Sequence, residues 1–166
     1  LTHQQLLELS EFANGFLIGS ALMAEDDLDL AIRKVIFGIN KVCGLTRRED
    51  ALNAFNAGAL YGGLIFVDRS PRSVSPEQAQ EIRCNVPLKW VGVFTDEKLD
   101  KIITLAKKLS LSAVQLHRNS DQTEIDYLRR HLPDHCQIWQ VLSISDGAPQ
   151  FNLTSVDHYL LDNGQG

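Results

Sequence analysis

The sequence is short of the residues that build covalent or metal frameworks. Its 166 residues include three cysteines, Cys43, Cys84 and Cys136. The number is odd and no two stand in a C-x-x-C pair. Neither a disulfide framework nor a zinc site is expected, and a reducing cytoplasm fits best. No apolar run approaches the ~20 residues of a membrane-spanning helix. The opening residues have no basic segment ahead of an apolar core, so they do not read as a signal peptide. Basic residues are outnumbered, 16 to 21, for a net charge of −5. That balance argues against nucleic acid or an anionic membrane as the main partner. It leaves room for a local basic pocket that takes a small phosphorylated ligand.

What is present is an ordinary soluble composition, 44% hydrophobic and 22% charged, enough for one substantial core. Short apolar runs alternate with amphipathic stretches. The runs centre near Leu17, Val42, Ile65, Val91, Val114, Ile138 and Leu160, roughly two dozen residues apart, as in a repeated strand–helix unit. Residues 3–12 read as a helix. Residues 16–18 read as a short buried strand. Asp26 or Asp27 is placed to cap a helix with Leu28, Ala31, Ile32, Val35 and Ile36 on one face. After a strand at 41–45, Thr46 and Glu49 suggest a capping box. Ser75-Pro76 is a strong helix start. Thr95 or Asp96 is expected to cap the stripe Leu99, Ile102, Ile103, Ala106 and Leu109. Ser120 is expected to open the helix closed by Pro133. Residues 145–157 have the least regular pattern. The chain opens in a helical pattern without methionine and closes on a glycine turn, so both ends are expected to be internal cuts.

Alternating strands and helices mean parallel strands joined by right-handed crossovers. The fold class is α/β, and two architectures fit: a (β/α)8 barrel or an open doubly wound sheet. The near-constant spacing favours the barrel, which is incomplete in this chain. In either architecture function gathers just past the strand C-termini. That rule selects Gly19-Ser20, Cys43, the loop Asp68–Arg72, His117 and Asp162.

Residues Lys41-Val-Cys-Gly-Leu-Thr46 resemble the first strand of phosphoribosylanthranilate isomerase, a TIM barrel of tryptophan biosynthesis. The resemblance continues in order through Gly62-Gly-Leu-Ile-Phe66, Ser70-Pro-Arg72, Val91-Gly-Val-Phe94, Ala113-Val-Gln-Leu-His117 and Leu160-Leu-Asp162. Upstream, Gly15-Phe-Leu-Ile-Gly-Ser-Ala-Leu-Met23 resembles the eighth strand and following turn of indole-3-glycerol phosphate synthase. In enteric-type bacteria that barrel is fused ahead of the isomerase. The resemblance therefore implies two pieces. Residues 1–38 would be the C-terminal end of the synthase barrel, and 39–166 the N-terminal three quarters of the isomerase barrel. The linker lies near Phe37–Asn40. Isomerase strands 7 and 8, whose loops would hold the substrate phosphate, are not in this stretch.

The resemblance implies roles as well. Cys43 is the general base that takes a proton from the sugar C2′ in an Amadori rearrangement, and Asp162 is the general acid. Arg72 holds the anthranilate carboxylate, a task suited to its planar fork. Gln115 and His117 contact substrate. Gly19 and Ser20 match the phosphate grip of the synthase. No metal or organic cofactor is implied. The implied partner is a phosphorylated sugar–anthranilate substrate, handled by a monomeric enzyme. Two positions depart from the family pattern. Arg118 stands where glycine is usual. Gln140, after Trp139, stands where lysine is usual, which is expected to remove a positive charge near the mouth. The rival readings are an inactive fragment and a non-catalytic phosphosugar-binding barrel. The second is disfavoured if Cys43 and Asp162 face one pocket.

Overall fold

A computed structural model describes residues 1–144 and 151–162. Three helices come first: α1 (His3–Leu9), α2 (Ser20–Met23) and α3 (Leu28–Phe37). Strands and helices then alternate as β1 (Lys41–Cys43), α4 (Arg48–Asn56), β2 (Tyr61–Ile65), α5 (Pro76–Arg83) and β3 (Lys89–Phe94). The order continues with α6 (Leu99–Lys108), β4 (Ala113–Leu116), α7 (Gln122–His131), β5 (Gln137–Ser143) and β6 (His158–Asp162). All six strands form one parallel sheet in chain order, β1 to β6. A sheet that adds each strand next to the last, always with a helix outside, curls toward a barrel rather than winding doubly. Among the described residues β1 and β6 are its edges.

Strand register sorts the side chains into two layers, because alternate residues face opposite sides. One set faces the helices. Leu64, Trp90, Phe94, Val114, Leu116 and Ile138 pack there against the inner faces of α4 to α7. Helix α6 shows the logic: Ile102, Ile103, Leu105 and Ala106 are buried. Each fully buried Ile contributes ~1.5–3 kcal/mol from area alone. The other set faces the barrel interior. Tyr61, Val91, Ala113 and Trp139 cluster there, with Leu30 of α3 packed against them. Ile65, Val67 and Val93 form a second inner cluster nearer the C-terminal end. Helix α3 sits under the N-terminal end of the sheet. Leu30 and Arg33 line a hollow there with Leu60, Leu88 and Lys89. Arg33 fastens α3 to the wall. Its Nη1 donates to the Phe55 carbonyl at 2.9 Å and its guanidinium stacks 3.6 Å from the Phe55 ring centroid.

Several expected boundaries shift. Residues 16–18 form no strand, and Leu17 is fully exposed. A parallel strand needs a neighbour's backbone, and the described residues supply this segment with none. Helix α4 begins at Arg48 with Arg47 as N-cap and no side-chain cap, so the Thr46–Glu49 capping box does not form. Instead Arg47 clasps Asp50 with two bonds of 2.8 Å, and Glu49 and Asp50 place negative charge in the first turn. Lys98, not Thr95 or Asp96, is the N-cap of α6. The Thr95 N–H is taken by Glu97 at 2.8 Å. Asp121 rather than Ser120 caps α7, accepting from the Glu124 N–H at 2.9 Å. Asp27 caps α3, and Ser75 with Gln78 forms the capping box of α5, with Pro76 at its first position. Of the stretch 145–157, residues 145–150 lie outside the described residues, as do residues 163–166 after Asp162. No helix among the described residues is long and apolar enough to cross a membrane.

Candidate active site

The C-terminal ends of the strands form the mouth. Cys43 ends β1 and Asp162 ends β6, and the register puts both on inward-facing positions. The path runs Cys43, Gly63, Val91, Ala113 and Gln137, while Ile65, Val93, Gln115 and Trp139 stand two residues higher. Asp162 pairs with Ser143, two places along from the inward Val141. Cys43 is a free, exposed thiol. It faces Gly63 across the β1–β2 pair. A Cβ at Gly63 would stand 2.9 Å from Cys43 Sγ, so glycine there leaves the sulfur its space.

His117 follows β4 with its N–H still in the ladder, donating to the Phe94 carbonyl at 2.8 Å. Its Nε2 meets Asp162 Oδ2 at 3.1 Å. Both side chains stay partly open to solvent. Arg72 comes from the loop after β2. That loop folds back over the sheet: Val74 N–H donates to the Ile65 carbonyl at 2.9 Å, and Ile65 bridges Ser73. Arg72 Nη1 consequently reaches the Cys43 carbonyl at 3.4 Å. The turn beneath it needs glycine. Gly44 has φ +80, and a Cβ there would stand 2.8 Å from Arg72 Nη1.

Four of the expected residues, Cys43, Arg72, His117 and Asp162, thus stand at the mouth. Gln115 is inward but buried, at 7% exposure. Its Oε1 accepts from Lys41 Nζ at 2.6 Å, so its side chain is turned inward to Lys41 and not out into the mouth. Gly19 and Ser20 do not join this group. Both are exposed, and Ser20 opens the four-residue α2, which packs beside α3 at the other end of the sheet. Lys41 was not among the expected residues. Its signal was its position two residues before Cys43 in a strand, which places both side chains on one face.

Of the two departures from the family pattern, Gln140 faces away from the mouth and Arg118 is tied into the loops beside it. Gln140 follows the inward Trp139 and therefore faces the helix layer. It is 1% exposed, and its Nε2 donates to the carbonyls of Arg118 at 2.5 Å and Val141 at 2.9 Å. The expected loss of a mouth charge at position 140 does not follow from this geometry. Arg118 ties two segments together. Its Nη1 donates to the Glu97 carbonyl at 3.1 Å and its Nη2 pairs with Glu124 at 3.0 Å. Away from the mouth, burial pushes the Cys136 thiol up to about 11, with Arg129 opposing and Asp157 adding to the shift. The described residues contain no group of three or more His, Cys, Asp or Glu side chains placed to hold a metal ion.

A curled parallel β/α sheet that brings a thiol, a carboxylate, an imidazole and a guanidinium to its C-terminal mouth offers groups able to donate and accept protons beside a cation able to hold a small anion. The family model of N-(5′phosphoribosyl)anthranilate isomerase matches residues 40–166, and the chain belongs to that family. Among curated relatives, the tryptophan biosynthesis protein TrpCF of Salmonella typhi is 56% identical over 165 residues. TrpCF of Yersinia pestis is 54% identical over 164. Each match takes in 99% of this chain but only 36% and 34% of the relative, so the chain spans about a third of their length. Among solved structures, a monomeric form of the dimeric phosphoribosylanthranilate isomerase from Thermotoga maritima aligns with a TM-score of 0.59 and 35% identity. That alignment covers 64% of this chain and 53% of that one. A phosphoribosylanthranilate isomerase solved with reduced 1-(o-carboxyphenylamino)-1-deoxyribulose 5-phosphate aligns with a TM-score of 0.58 and 33% identity, over 63% and 53% of the two chains.

Proposed function

We propose that the chain forms the acid–base half of a phosphoribosylanthranilate isomerase in tryptophan biosynthesis. The reading rests on one observation above the others: Cys43 and Asp162 occupy inward-facing strand ends of one sheet, with His117 paired to Asp162 and Arg72 laid beside Cys43. A barrel that only bound a phosphosugar would need no such acid and base.

The steps follow from proton balance. Asp162 gives its proton to the furanose ring oxygen, the C1′–O bond breaks, and the anilino nitrogen supplies the electron pair that forms a Schiff base. Cys43, as thiolate, takes the proton from C2′. The C2′–H electrons flow toward the nitrogen and leave an enolamine, which tautomerises to the ketone. C1′ is reduced as C2′ is oxidised, so no outside redox partner enters. His117 holds the Asp162 carboxyl toward the mouth. Arg72 fits the anthranilate carboxylate as a planar, two-toothed donor. Gln115 acts by holding Lys41. The substrate is the phosphorylated sugar–anthranilate, and the enzyme works as a cytoplasmic monomer.

The two-domain reading is retained. Residues 1–38 form the C-terminal end of an indole-3-glycerol phosphate synthase barrel, with Gly19 and Ser20 its phosphate grip, and 39–166 form the isomerase part. Support comes from the relatives, which match this chain from end to end and are about three times as long. It also comes from the apolar side chains of this unit that lie exposed, Phe12, Leu17 and Ile36 among them. The experiment is loss of anthranilate fluorescence when N-(5′-phosphoribosyl)anthranilate meets the full-length polypeptide, with and without Cys43→Ser. The full-length protein is expected to turn over and the variant to lose ~100-fold or more. Turnover unaffected by Cys43→Ser would remove Cys43 as base. We expect residues 1–166 alone to be inactive in the same assay.

A further inference from the structure

The inner layer holds, beside Cys43, a charged group to which the proposed reaction gives no chemical step. Lys41 opens β1, two residues before Cys43, so both side chains point into the barrel. The point where Gly63 would carry a Cβ lies 2.9 Å from Cys43 Sγ and 3.3 Å from Lys41 Nζ. Laid end to end, those distances keep sulfur and nitrogen near or within the ~4–6 Å range in which a charge biases its neighbour's ionisation. Glycine at 63 is what lets them share that space.

Lys41 is also fixed. Its Nζ donates to Gln115 Oε1 at 2.6 Å, a short charge-assisted bond. Gln115 sits on β4, three strands from β1, and is itself buried. A neutral amide holds the ammonium in place without cancelling its charge. A carboxylate at 115 would have made a stronger tie and neutralised it.

We propose that Lys41 is a positioning residue whose ammonium, held by Gln115, stabilises the thiolate of Cys43 in the barrel interior. The inference rests on Cys43 being the base but is tested without turnover. Other titratable or charged groups on the inward face are Tyr61 and Lys89 on β2 and β3 and His158 and Asp162 on β6. His117 and Arg72 stand above them. Of these, Asp162 is the one acidic group, and His117 is paired to it. Lys41 is the cation that shares the Gly63 space with the sulfur.

The test is the rate of Cys43 alkylation by iodoacetamide in the full-length protein, followed against pH by mass spectrometry of the Cys43 peptide. Lys41→Gln keeps a donor toward Gln115 but removes the charge. It is expected to slow Cys43 alkylation about tenfold at pH 7 and to displace the profile to higher pH, the direction in which losing a nearby positive charge moves a thiolate. Lys41→Arg is expected to retain most of the wild-type rate. A purely structural tie between β1 and β4 predicts no displacement in Lys41→Gln, and that result overturns the inference. Buried Cys136 reports folding in the same digest. If it becomes reactive in Lys41→Gln, Gln115→Glu serves instead. It keeps the acceptor oxygen and cancels the charge, so it is expected to slow Cys43 alkylation, and an unchanged profile there overturns the inference equally. A slowed alkylation in a protein that does not isomerise the substrate would leave this inference standing and remove only the proposed reaction.

Discussion

His117 Nε2 and Asp162 Oδ2 meet at 3.1 Å although they stand on β4 and β6, which are not neighbours in the sheet. The bond crosses the inner side of β5, whose Ser143 pairs with Asp162. It fixes the direction of a carboxylate that closes the last described strand, where packing alone gives little restraint. His117→Asn is expected to lower kcat by ~10–100-fold while leaving KM within a few-fold, because it removes orientation rather than the acid itself. Asp162→Asn is expected to cost ~100–10,000-fold. Steady-state fluorescence assays on the full-length protein check both, and equal losses in kcat and affinity would make His117 a binding group instead.

Gly44 carries the turn between Cys43 and α4. Its φ of +80 is left-handed, and a Cβ there would meet Arg72 at 2.8 Å. Gly44→Ala is therefore expected to lose ~1 kcal/mol or more of stability from the backbone and to swing Arg72 off the mouth. Raised KM with a smaller change in kcat is the expected signature, read beside a denaturation curve.

Gly63→Ala tests the space around the base. The added methyl would sit 2.9 Å from Cys43 Sγ and 3.1 Å from Cys43 Cα. Backbone on that side cannot yield as a flexible side chain can. The expected outcome is slower alkylation of Cys43 together with lost turnover. Normal values for both would show that β1 shifts to make room.

Cys136 links stability to pH. Burial raises its thiol from an ordinary value near 9.0 to about 11 in the folded chain. The native state therefore holds a proton that the unfolded chain releases first. The contribution is complete below pH ~9 and is lost as pH rises from there through about 11. Urea midpoints are expected to fall across that window, and to fall less in Cys136→Ala. Cys136 is also expected to resist alkylation at pH 8 while Cys43 and Cys84 react, since both of those are exposed.

Arg118→Gly, which installs the residue more usual in the family, is expected to leave turnover near wild type. It removes the bonds to the Glu97 carbonyl and Glu124, so stability is expected to drop by about 1 kcal/mol. A large loss of activity would place Arg118 in the substrate site after all.

Much was legible from residue order alone. The alternation of short apolar runs with amphipathic stripes dictates parallel strands and outer helices, because each pattern has one way to bury its apolar face. The rule that ligands meet strand C-termini then picked out Cys43, His117 and Asp162, and the structure places all three at one mouth. Local capping was less legible. Thr46 and Thr95 are good caps in isolation, but the turns after β1 and β3 set where α4 and α6 begin. The strand expected at 16–18 failed because a strand is completed by a neighbour that its own residues cannot supply. Only the tertiary structure decided which residues share a space. Register turned Lys41 and Cys43 to the same face, and the missing side chain of Gly63 brought their end groups together. The curl of the sheet carried His117 to Asp162 across an intervening strand. Distances of that kind depend on how strands twist and stack, and no spacing along the chain contains them.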